Sequence, residues 1–224
     1  MANSRRSYSQ VAEDLLAAYY LRKDRNITYV DVGCLWPIEH SNTYFFYRRG
    51  GSGICIDPNP TVKDDYEKAR PRDRFVNCGV GLKPELMTYF QFANPVFNTF
   101  SAPRAAELQK AHLEKGARGG RELVAEALVE VRPLRAILLA ADWRGQFGPT
   151  IDFLSIDVEG RELEVISSMD FSYARPSLIV METAVKTQRH RGEQAQQILL
   201  DQGYSICGQT GHDTFFRDEV RLAN

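Results

Sequence analysis

The chain has 224 residues, of which 43% are apolar and 25% are charged, so it is long enough to bury one sizeable core and short for several independent domains. Its formal net charge of -1 provides no uniform positive field for binding nucleic acid or an acidic membrane surface. We therefore expect one globular domain over residues 1–224 that does not bind nucleic acid.

No stretch of the sequence approaches the about 20 apolar residues that a membrane-spanning helix needs. The opening segment MANSRRSYSQ has basic residues but no apolar run behind them, unlike a secretory signal. We therefore expect no integral membrane segment and a cytoplasmic location. The cysteines are scattered without metal-ligand spacing, which favours reduced core thiols over metal ligands or disulfides: Cys34, Cys55, Cys78 and Cys207.

The first predicted element is a leading helix within residues 1–25. Ser9 is a candidate N-cap for this helix. Val11, Leu15 and Tyr19 follow one another at helical spacing and so fall on one face. We expect that apolar face to cover the core.

Short apolar stretches rich in β-branched residues then alternate with segments that favour helices. The predicted strands are 27–32, 53–57 and 74–77, and the predicted helices between them are 41–49 and 61–69. An extra strand is predicted at 87–92. Alternation of strand and helix is typical of βαβ units in a parallel sheet.

The region 101–145 loses this strand rhythm. It carries charges of both signs and a Gly119-Gly120 break, so we predict a helical insertion over one edge of the sheet, acting as a lid. Its basic residues could contact a phosphorylated acceptor, but the acids interspersed among them favour a solvated helical face.

The alternation resumes after the insertion and ends in a pattern typical of a β-hairpin. The predicted elements are a strand at 151–157, a helix at 161–168, a strand at 177–182, a helix at 191–202 and hairpin strands at 204–208 and 214–217. The strands before the hairpin are nearly continuous apolar runs, as expected where helices cover both faces of a sheet. We predict an α/β fold with a mostly parallel seven-stranded sheet, a terminal antiparallel hairpin and helices on both faces.

An acid and a glycine, Asp31 and Gly33, mark the end of the first predicted strand. Ligands of open α/β sheets bind at the carboxyl ends of the strands, where Gly33 would let the backbone approach a ligand closely and Asp31 could hold a cationic amine. The dinucleotide fingerprint GxGxxG is absent, because Leu35 and Trp36 follow. The alternative is that Gly33 serves only as a turn glycine.

The second predicted strand ends in Asp57, near the spacing from Gly33 at which Rossmann folds place the acid that binds ribose hydroxyls. This pattern indicates an adenosine-bearing cofactor. Asp57 could instead cap the following helix. A dinucleotide-dependent oxidoreductase is an alternative function, disfavoured by the missing GxGxxG and by the closing hairpin.

The predicted strand at 151–157 delivers two more carboxylates, Asp157 and Glu159, to the edge that carries Asp31 and Asp57. Buried carboxylates must bind a positive group, accept hydrogen bonds or take up a proton. We therefore expect these acids to converge on one crevice. A catalytically idle domain that uses this crevice only for binding is a further alternative.

Several segments together resemble the FkbM family of methyltransferases. The longest are YVDVGCLWPIEHSNTYFFYRRGGSGICIDPNP and DFLSIDVEGRELEVISSMDF, and the shorter ones are YSQVAED, RPRDRFVNCGVG, NTFS and RPSLIVMET. They cover most of the chain outside the insertion. The resemblance implies a Rossmann-like class I methyltransferase fold, S-adenosylmethionine as cofactor, and a hydroxyl of a sugar, glycan or secondary metabolite as methyl acceptor.

The resemblance also implies roles for individual residues: Asp31 and Gly33 near the methionine part of the cofactor, Asp57 on the ribose, Asn77 with Cys78 beside the adenine, and Asp157 with Glu159 facing the cofactor and acceptor. The glycine loop departs from the family pattern, because Pro37 and Ile38 stand where many relatives have a second glycine. The helix start at Ser41 and Asn42 is an alternative source of cofactor contacts.

Methyl transfer requires the protein to align the acceptor oxygen, to exclude water and to remove one proton. The candidate bases are Asp157, Glu159, Glu182, His40 and His212, of which we favour Asp157 and Glu159. Asp157 and Glu182, at neighbouring strand ends, could also hold a divalent metal ion, which we do not favour. The sequence does not predict the acceptor or the oligomeric state.

Overall fold

A computed structural model describes residues 6–115, 119–183 and 189–222. The strands are β1 (Thr28–Val32), β2 (Ser52–Ile56), β3 (Arg74–Val76), β4 (Gly79–Val80), β5 (Glu85–Phe92), β6 (Leu123–Arg132), β7 (Thr150–Ile156), β8 (Arg175–Glu182), β9 (Tyr204–Gln209) and β10 (Asp213–Asp218). The α-helices are α1 (Glu13–Leu21), α2 (Tyr44–Tyr47), α3 (Lys63–Ala69), α4 (Ala102–Lys115), α5 (Leu134–Ala140), α6 (Trp143–Phe147), α7 (Glu162–Ser167), α8 (Arg189–Asp201) and α9 (Glu219–Leu222). Short 3-10 helices lie at Pro60–Val62 and Pro95–Phe97.

The main sheet has seven strands in the order β3-β2-β1-β7-β8-β10-β9. The first five are parallel, and β10 runs antiparallel to both β8 and β9. This confirms the predicted mostly parallel sheet with a terminal antiparallel hairpin. Because the strand order reverses between β1 and β7, a crevice opens at their carboxyl ends, where ligands of such sheets bind.

Side chains along each central strand alternate between two apolar cores, one on each face of the sheet. Val30 of β1 and Leu154 of β7 belong to one core, which includes residues of helices α5 to α8. Tyr29 and Phe153, one position earlier on the same strands, belong to the other, which includes residues of α1 to α3. The strand period of two thus explains why both faces are apolar and why helices cover both, as predicted.

The leading helix α1 forms within residues 1–25, but the predicted buried face is wrong. Val11 and Tyr19 are 51% and 73% exposed. The buried residues of α1 are Glu13, Asp14, Ala17 and Ala18. Asp14 turns inward because its carboxylate accepts hydrogen bonds from Tyr8 N and Leu15 N. Ser9 is not the N-cap, which is Ala12 in a left-handed conformation.

The predicted all-helical character of region 101–145 is also wrong, because β6 lies in its middle. β6 pairs antiparallel with β5 and parallel with β4, which makes a second sheet in the order β4-β6-β5. Residues 125–128, Ala-Glu-Ala-Leu, are strong helix formers, but pairing with β5 overrides that propensity. The alternation of buried and exposed residues around Val129 and Val131 is the strand signal.

A buried ion pair between Arg70 and Asp73 ties the loops of the main sheet together. Both side chains are 0% exposed, and Arg70 Nε lies 2.6 Å from Asp73 Oδ2. The remaining acceptor capacity of Asp73 is used by Tyr29 Oη of β1 at 2.8 Å and by Gly53 N of β2 at 3.0 Å. The carboxylate therefore joins the neighbouring strands β1 and β2.

The guanidinium of Arg70 holds the chain between β1 and α2. Its Nη1 donates to the Pro37 carbonyl at 3.2 Å and to Ser41 Oγ at 3.2 Å. Its Nη2 donates to Thr43 Oγ1 at 2.9 Å. A charged group withdrawn from water must be paired and hydrogen-bonded, so this network restricts the loop to one path.

We predict that Asp73→Asn lowers the free energy of unfolding by about 3–5 kcal/mol, because it leaves the buried Arg70 charge uncompensated. Urea denaturation measures the change. Lys63→Met is the control: its pair with Glu67 spans 3.8 Å between exposed side chains and should contribute less than about 1 kcal/mol. Equal losses in the two variants would contradict the central role of the buried pair.

Candidate active site

A cavity of about 920 Å³, a volume that includes its open mouth, lies at the carboxyl ends of β1, β2 and β7. The lining comprises Gln10, residues 32–36, His40, residues 56–58, residues 78–80, Tyr89, residues 95–96, residues 98–100, residues 157–159 and Arg161. Loops of the main sheet form one part of the wall, and the segment from β5 to α4 forms another.

Gly33 lines the cavity where the loop after β1 packs against the turn after β7. It has a left-handed φ of 80°. A Cβ atom at this position would lie 1.7 Å from the carbonyl oxygen of Asp157. Only glycine satisfies both conditions, so its role is more than that of a turn residue.

Asp57 also lines the cavity, as predicted, and is 4% exposed. Its Oδ2 accepts a hydrogen bond from Leu35 N at 2.9 Å, and its Oδ1 accepts one from Asn59 N at 2.8 Å. Burial raises the pKa of Asp57 to about 6, although these two N–H groups oppose the rise. The cap of the following 3-10 helix is Asn59, which accepts from Thr61 N at 3.1 Å.

Asp31, Ser41 and Asn42 lie outside the cavity lining. Thr43 Oγ1 donates to Asp31 Oδ2 at 2.6 Å, and burial raises the pKa of Asp31. Ser41 Oγ accepts from Tyr44 N at 3.1 Å at the start of α2. Asn42 Nδ2 lies 3.1 Å from the Ser155 hydroxyl of β7. These side chains stabilise the β1 loop from the side that faces away from the cavity.

The predicted adenine neighbours differ in position. Cys78 is buried and lines the cavity, and burial raises the pKa of its thiol. Asn77 is exposed and lies outside the lining, but its Nδ2 donates to the Asp57 carbonyl at 2.9 Å. Asn77 thus holds the end of β2 in place.

Asp157 and Glu159 both line the cavity, on the turn that follows β7. Glu159 has a left-handed φ of 51° and Gly160 one of 98°. Such a conformation is rare for a residue other than glycine and is often found at functional sites. Burial raises the pKa of Glu159, and the Arg104 guanidinium opposes that rise.

Glu182 lies next to this turn, at the end of β8, but outside the cavity lining. Its Oε2 is buried without a hydrogen-bond partner. Burial, followed by the carboxylates of Glu159 and Glu162, raises the pKa of Glu182 to about 8. Burial and the nearby Glu182 carboxylate likewise raise the pKa of Asp157 well above its usual value.

The two candidate histidines differ in their position relative to the cavity. His40 lines the cavity beside Trp36, with ring centroids 5.5 Å apart. His212 is exposed on the turn between β9 and β10, outside the lining, and its carbonyl accepts from Thr183 N at 2.9 Å. The structure therefore places His212 near the end of β8 that carries Glu182, but outside the cavity lined by Asp157, Glu159 and His40.

Sequence reasoning missed the wall made by Tyr89 and residues 95–100. It placed a lid at 101–145, whereas no lining residue among those the structure describes falls in that range. Asn98 Oδ1 accepts from Phe92 N at 2.7 Å, and the Tyr89 and Phe100 rings lie 4.8 Å apart. The concentration of aromatic and asparagine residues just after a predicted strand is the signal that points to this wall.

No group of three or more His, Cys, Asp or Glu side chains within residues 6–115, 119–183 and 189–222 could hold a metal ion. In the same part of the chain, no helix combines the length and the apolar character needed to cross a membrane.

We predict that Gly33→Ala weakens or abolishes ligand binding in the cavity and destabilises the fold by several kcal/mol, because the added Cβ pushes the β1 and β7 loops apart. Thermal unfolding and S-adenosylmethionine calorimetry measure both effects. Gly211→Ala is the matched control, since a Cβ there meets no atom within 4 Å. Behaviour like that of the control would contradict the close approach.

Comparison with known proteins identifies the family. A model described as the methyltransferase FkbM domain matches residues 24–206, which run from before β1 into β9. Methyltransferase FkbM from Methylobacillus flagellatus KT has 13% identity and a TM-score of 0.48, over 87% of this chain and 44% of its own, so this chain spans less than half of that protein. No curated protein sequence matches the chain.

Two further solved structures are similar in fold. The O-methyltransferase from Bacillus cereus in complex with SAH has 13% identity and a TM-score of 0.47, over 94% of this chain and 80% of its own. The O-methyltransferase TomG from Streptomyces achromogenes has 13% identity and a TM-score of 0.43, over 93% and 80%. Because the domain match takes in most of its length, the chain belongs to the FkbM methyltransferase family.

Proposed function

We propose that this protein is an S-adenosylmethionine-dependent O-methyltransferase whose acceptor is a hydroxyl of a sugar, a glycan or another small molecule. The observation that carries the proposal is the Asp57 carboxylate, which lines the cavity and is oriented by Leu35 N and Asn59 N. Membership of the FkbM family supports methyl transfer over the oxidoreductase alternative.

The hydrogen-bond acceptors and the apolar surface of the cavity suit an adenosine group. A carboxylate has about four acceptor sites, and Leu35 and Asn59 occupy two of those of Asp57. The remaining lone pairs suit the two adjacent hydroxyls of a ribose. Ile56 and Cys78 border the same cavity and provide apolar surface for a base. S-adenosylmethionine, when bound, supplies an electrophilic methyl group.

Glu159 is our candidate for the group that removes the acceptor proton. A general base must be ionised, and its pKa should lie near the working pH. Asp157 is less suited to this role, because burial and the Glu182 carboxylate raise its pKa well above its usual value. Burial also raises the pKa of Glu159, but the Arg104 guanidinium favours its ionised form.

The wall of Tyr89 and residues 95–100 would exclude water from the reacting atoms. Water exclusion strengthens electrostatic interactions in a site and prevents wasteful hydrolysis. In this proposal the second sheet supports that wall, because Thr99 of the wall forms a β-bridge with Phe90 of β5.

The function itself is tested by incubating the protein with labelled S-adenosylmethionine and either cell extracts or glycan panels. We expect label to appear on a hydroxyl of one acceptor class. Label on nitrogen or carbon would contradict O-methylation, and absence of cofactor binding would favour the idle binding domain.

We predict that Asp57→Ala weakens S-adenosylmethionine binding by about tenfold or more, because ribose hydroxyls lose a buried acceptor. Isothermal titration calorimetry measures the affinity. Asp65→Ala, which makes the same chemical change at an exposed position on α3, should bind normally. Unchanged affinity in Asp57→Ala would remove Asp57 from the site.

We also predict that cofactor affinity falls as the pH is lowered from about 7.5 to about 5. Hydroxyl donors prefer the ionised carboxylate, and with a pKa of about 6 Asp57 becomes protonated over this range. Calorimetry at several pH values in wild type and Asp57→Asn measures the effect. The variant should lack this dependence, and a parallel decline in both proteins would assign the titration to another group.

We predict that Glu159→Gln lowers turnover by roughly 100-fold or more while cofactor affinity stays nearly unchanged, because general bases contribute about 10²–10⁴-fold. Asp157→Asn should have a smaller effect, because the raised pKa of Asp157 makes it the weaker candidate for the base. Glu67→Gln is the exposed control. Wild-type rates in both cavity variants would redirect attention to Glu182.

A further inference from the structure

We infer that the methyl acceptor carries an oxyanion, a carboxylate or a phosphate, which pairs with Arg161 in the cavity. This inference rests on the proposed function and names the substrate class of the same site. Arg161 had no role in the sequence analysis. Its side chain is 22% exposed and lines the cavity.

The guanidinium of Arg161 is poorly satisfied by the protein. Its Nε is buried and has no hydrogen-bond partner. The carboxylate recorded beside it is Glu164 Oε1, which lies 4.0 Å from Nη2 and is therefore beyond hydrogen-bond distance. The other oxygen of Glu164 accepts a hydrogen bond from Arg191 Nη2, so Glu164 is shared between two cations.

Arg132 also has a buried Nε without a hydrogen-bond partner, but of these two arginines only Arg161 lines the cavity. Arg104 Nη1 lies 3.4 Å from Glu107, and Arg132 Nε lies 3.6 Å from Glu130. In each of these pairs the carboxylate has no second arginine partner among the described ion pairs. An arginine cannot lose its proton at physiological pH, so the charge of Arg161 persists and favours an anionic partner.

Arg161 lies on the side of the cavity next to the second sheet. Its guanidinium carbon lies 5.6 Å from the centre of the Phe100 ring. A Cβ at Gly81 would lie 3.3 Å from Arg161 Nη2. These neighbours belong to the part of the wall near the second sheet, whereas Asp57 is held by Leu35 of the β1 loop.

The planar guanidinium matches the geometry of a carboxylate or phosphate, to which it can donate two parallel hydrogen bonds. The Phe100 ring beside it offers an apolar surface to the body of the same ligand. An acceptor that combines a hydroxyl with an oxyanion would thereby be oriented, which is the main requirement for methyl transfer. Acidic sugars and hydroxy acids have this chemistry.

The test uses the full chain saturated with S-adenosylhomocysteine, and calorimetry first establishes that this complex forms. Benzoate and phenyl phosphate are then titrated against benzamide, a neutral molecule of nearly the same shape as benzoate. We expect at least one anion to bind about tenfold or more tightly than benzamide, as a charge-assisted hydrogen bond requires. The relative affinities of the two anions distinguish carboxylate from phosphate.

The same titrations are repeated on Arg161→Gln and Arg161→Lys. The glutamine variant should lose the preference for the anion, and the lysine variant should retain part of it. Arg135→Gln is the control, because it removes an equal charge from an exposed pair with Asp170, outside the cavity lining. Thermal unfolding shows whether each variant is folded.

Equal binding of anions and benzamide, or no detectable binding of either anion, would overturn the inference while leaving the proposed function intact. An anion preference that survives in Arg161→Gln would overturn it as well. A loss of S-adenosylhomocysteine affinity in Arg161→Gln would assign Arg161 to the cofactor carboxylate instead. Failure of the wild-type chain to bind S-adenosylhomocysteine would defeat the proposed function itself.

Discussion

The ion pair between Arg70 and Asp73 is the interaction on which the site depends. Taking each charge out of water costs several kcal/mol, so both groups must find complementary partners within the fold. Those partners are Tyr29 of β1, Gly53 of β2 and the loop that precedes α2. The loop conformation held in this way also presents Leu35 N to Asp57. A structural pair remote from the cavity thus determines how the candidate ribose acceptor is oriented.

The cavity combines contributions from two sheets. Strand ends of the parallel sheet deliver Asp57, Asp157 and Glu159, because side chains at the carboxyl ends of neighbouring parallel strands meet at one edge. The three-stranded sheet supports the aromatic wall and the neighbourhood of Arg161. In the proposed function, the first group binds the cofactor and the second contacts the acceptor.

Burial and neighbouring charges give the acids of this site different pKa values. Burial and the Glu182 carboxylate raise the pKa of Asp157 well above its usual value. Burial and the carboxylates of Glu159 and Glu162 raise the pKa of Glu182 to about 8. Burial also raises the pKa of Glu159, but there the Arg104 guanidinium favours the ionised form. The pKa of each carboxyl group in this site thus depends on neighbours from several elements, which the sequence alone does not reveal.

The sequence by itself determined the parallel sheet, the closing hairpin and the placement of Gly33, Asp57, Asp157 and Glu159 at one cavity. These features follow from local patterns, because the period of an apolar run and the residue at its end are written in consecutive positions. Tertiary structure decided the rest. Strand pairing turned residues 123–132 from helix to sheet, and Asp31, outside the cavity lining, accepts a hydrogen bond from Thr43 of the chain before α2. Those outcomes depend on tertiary contacts, and no local pattern encodes which partner a buried polar group will find.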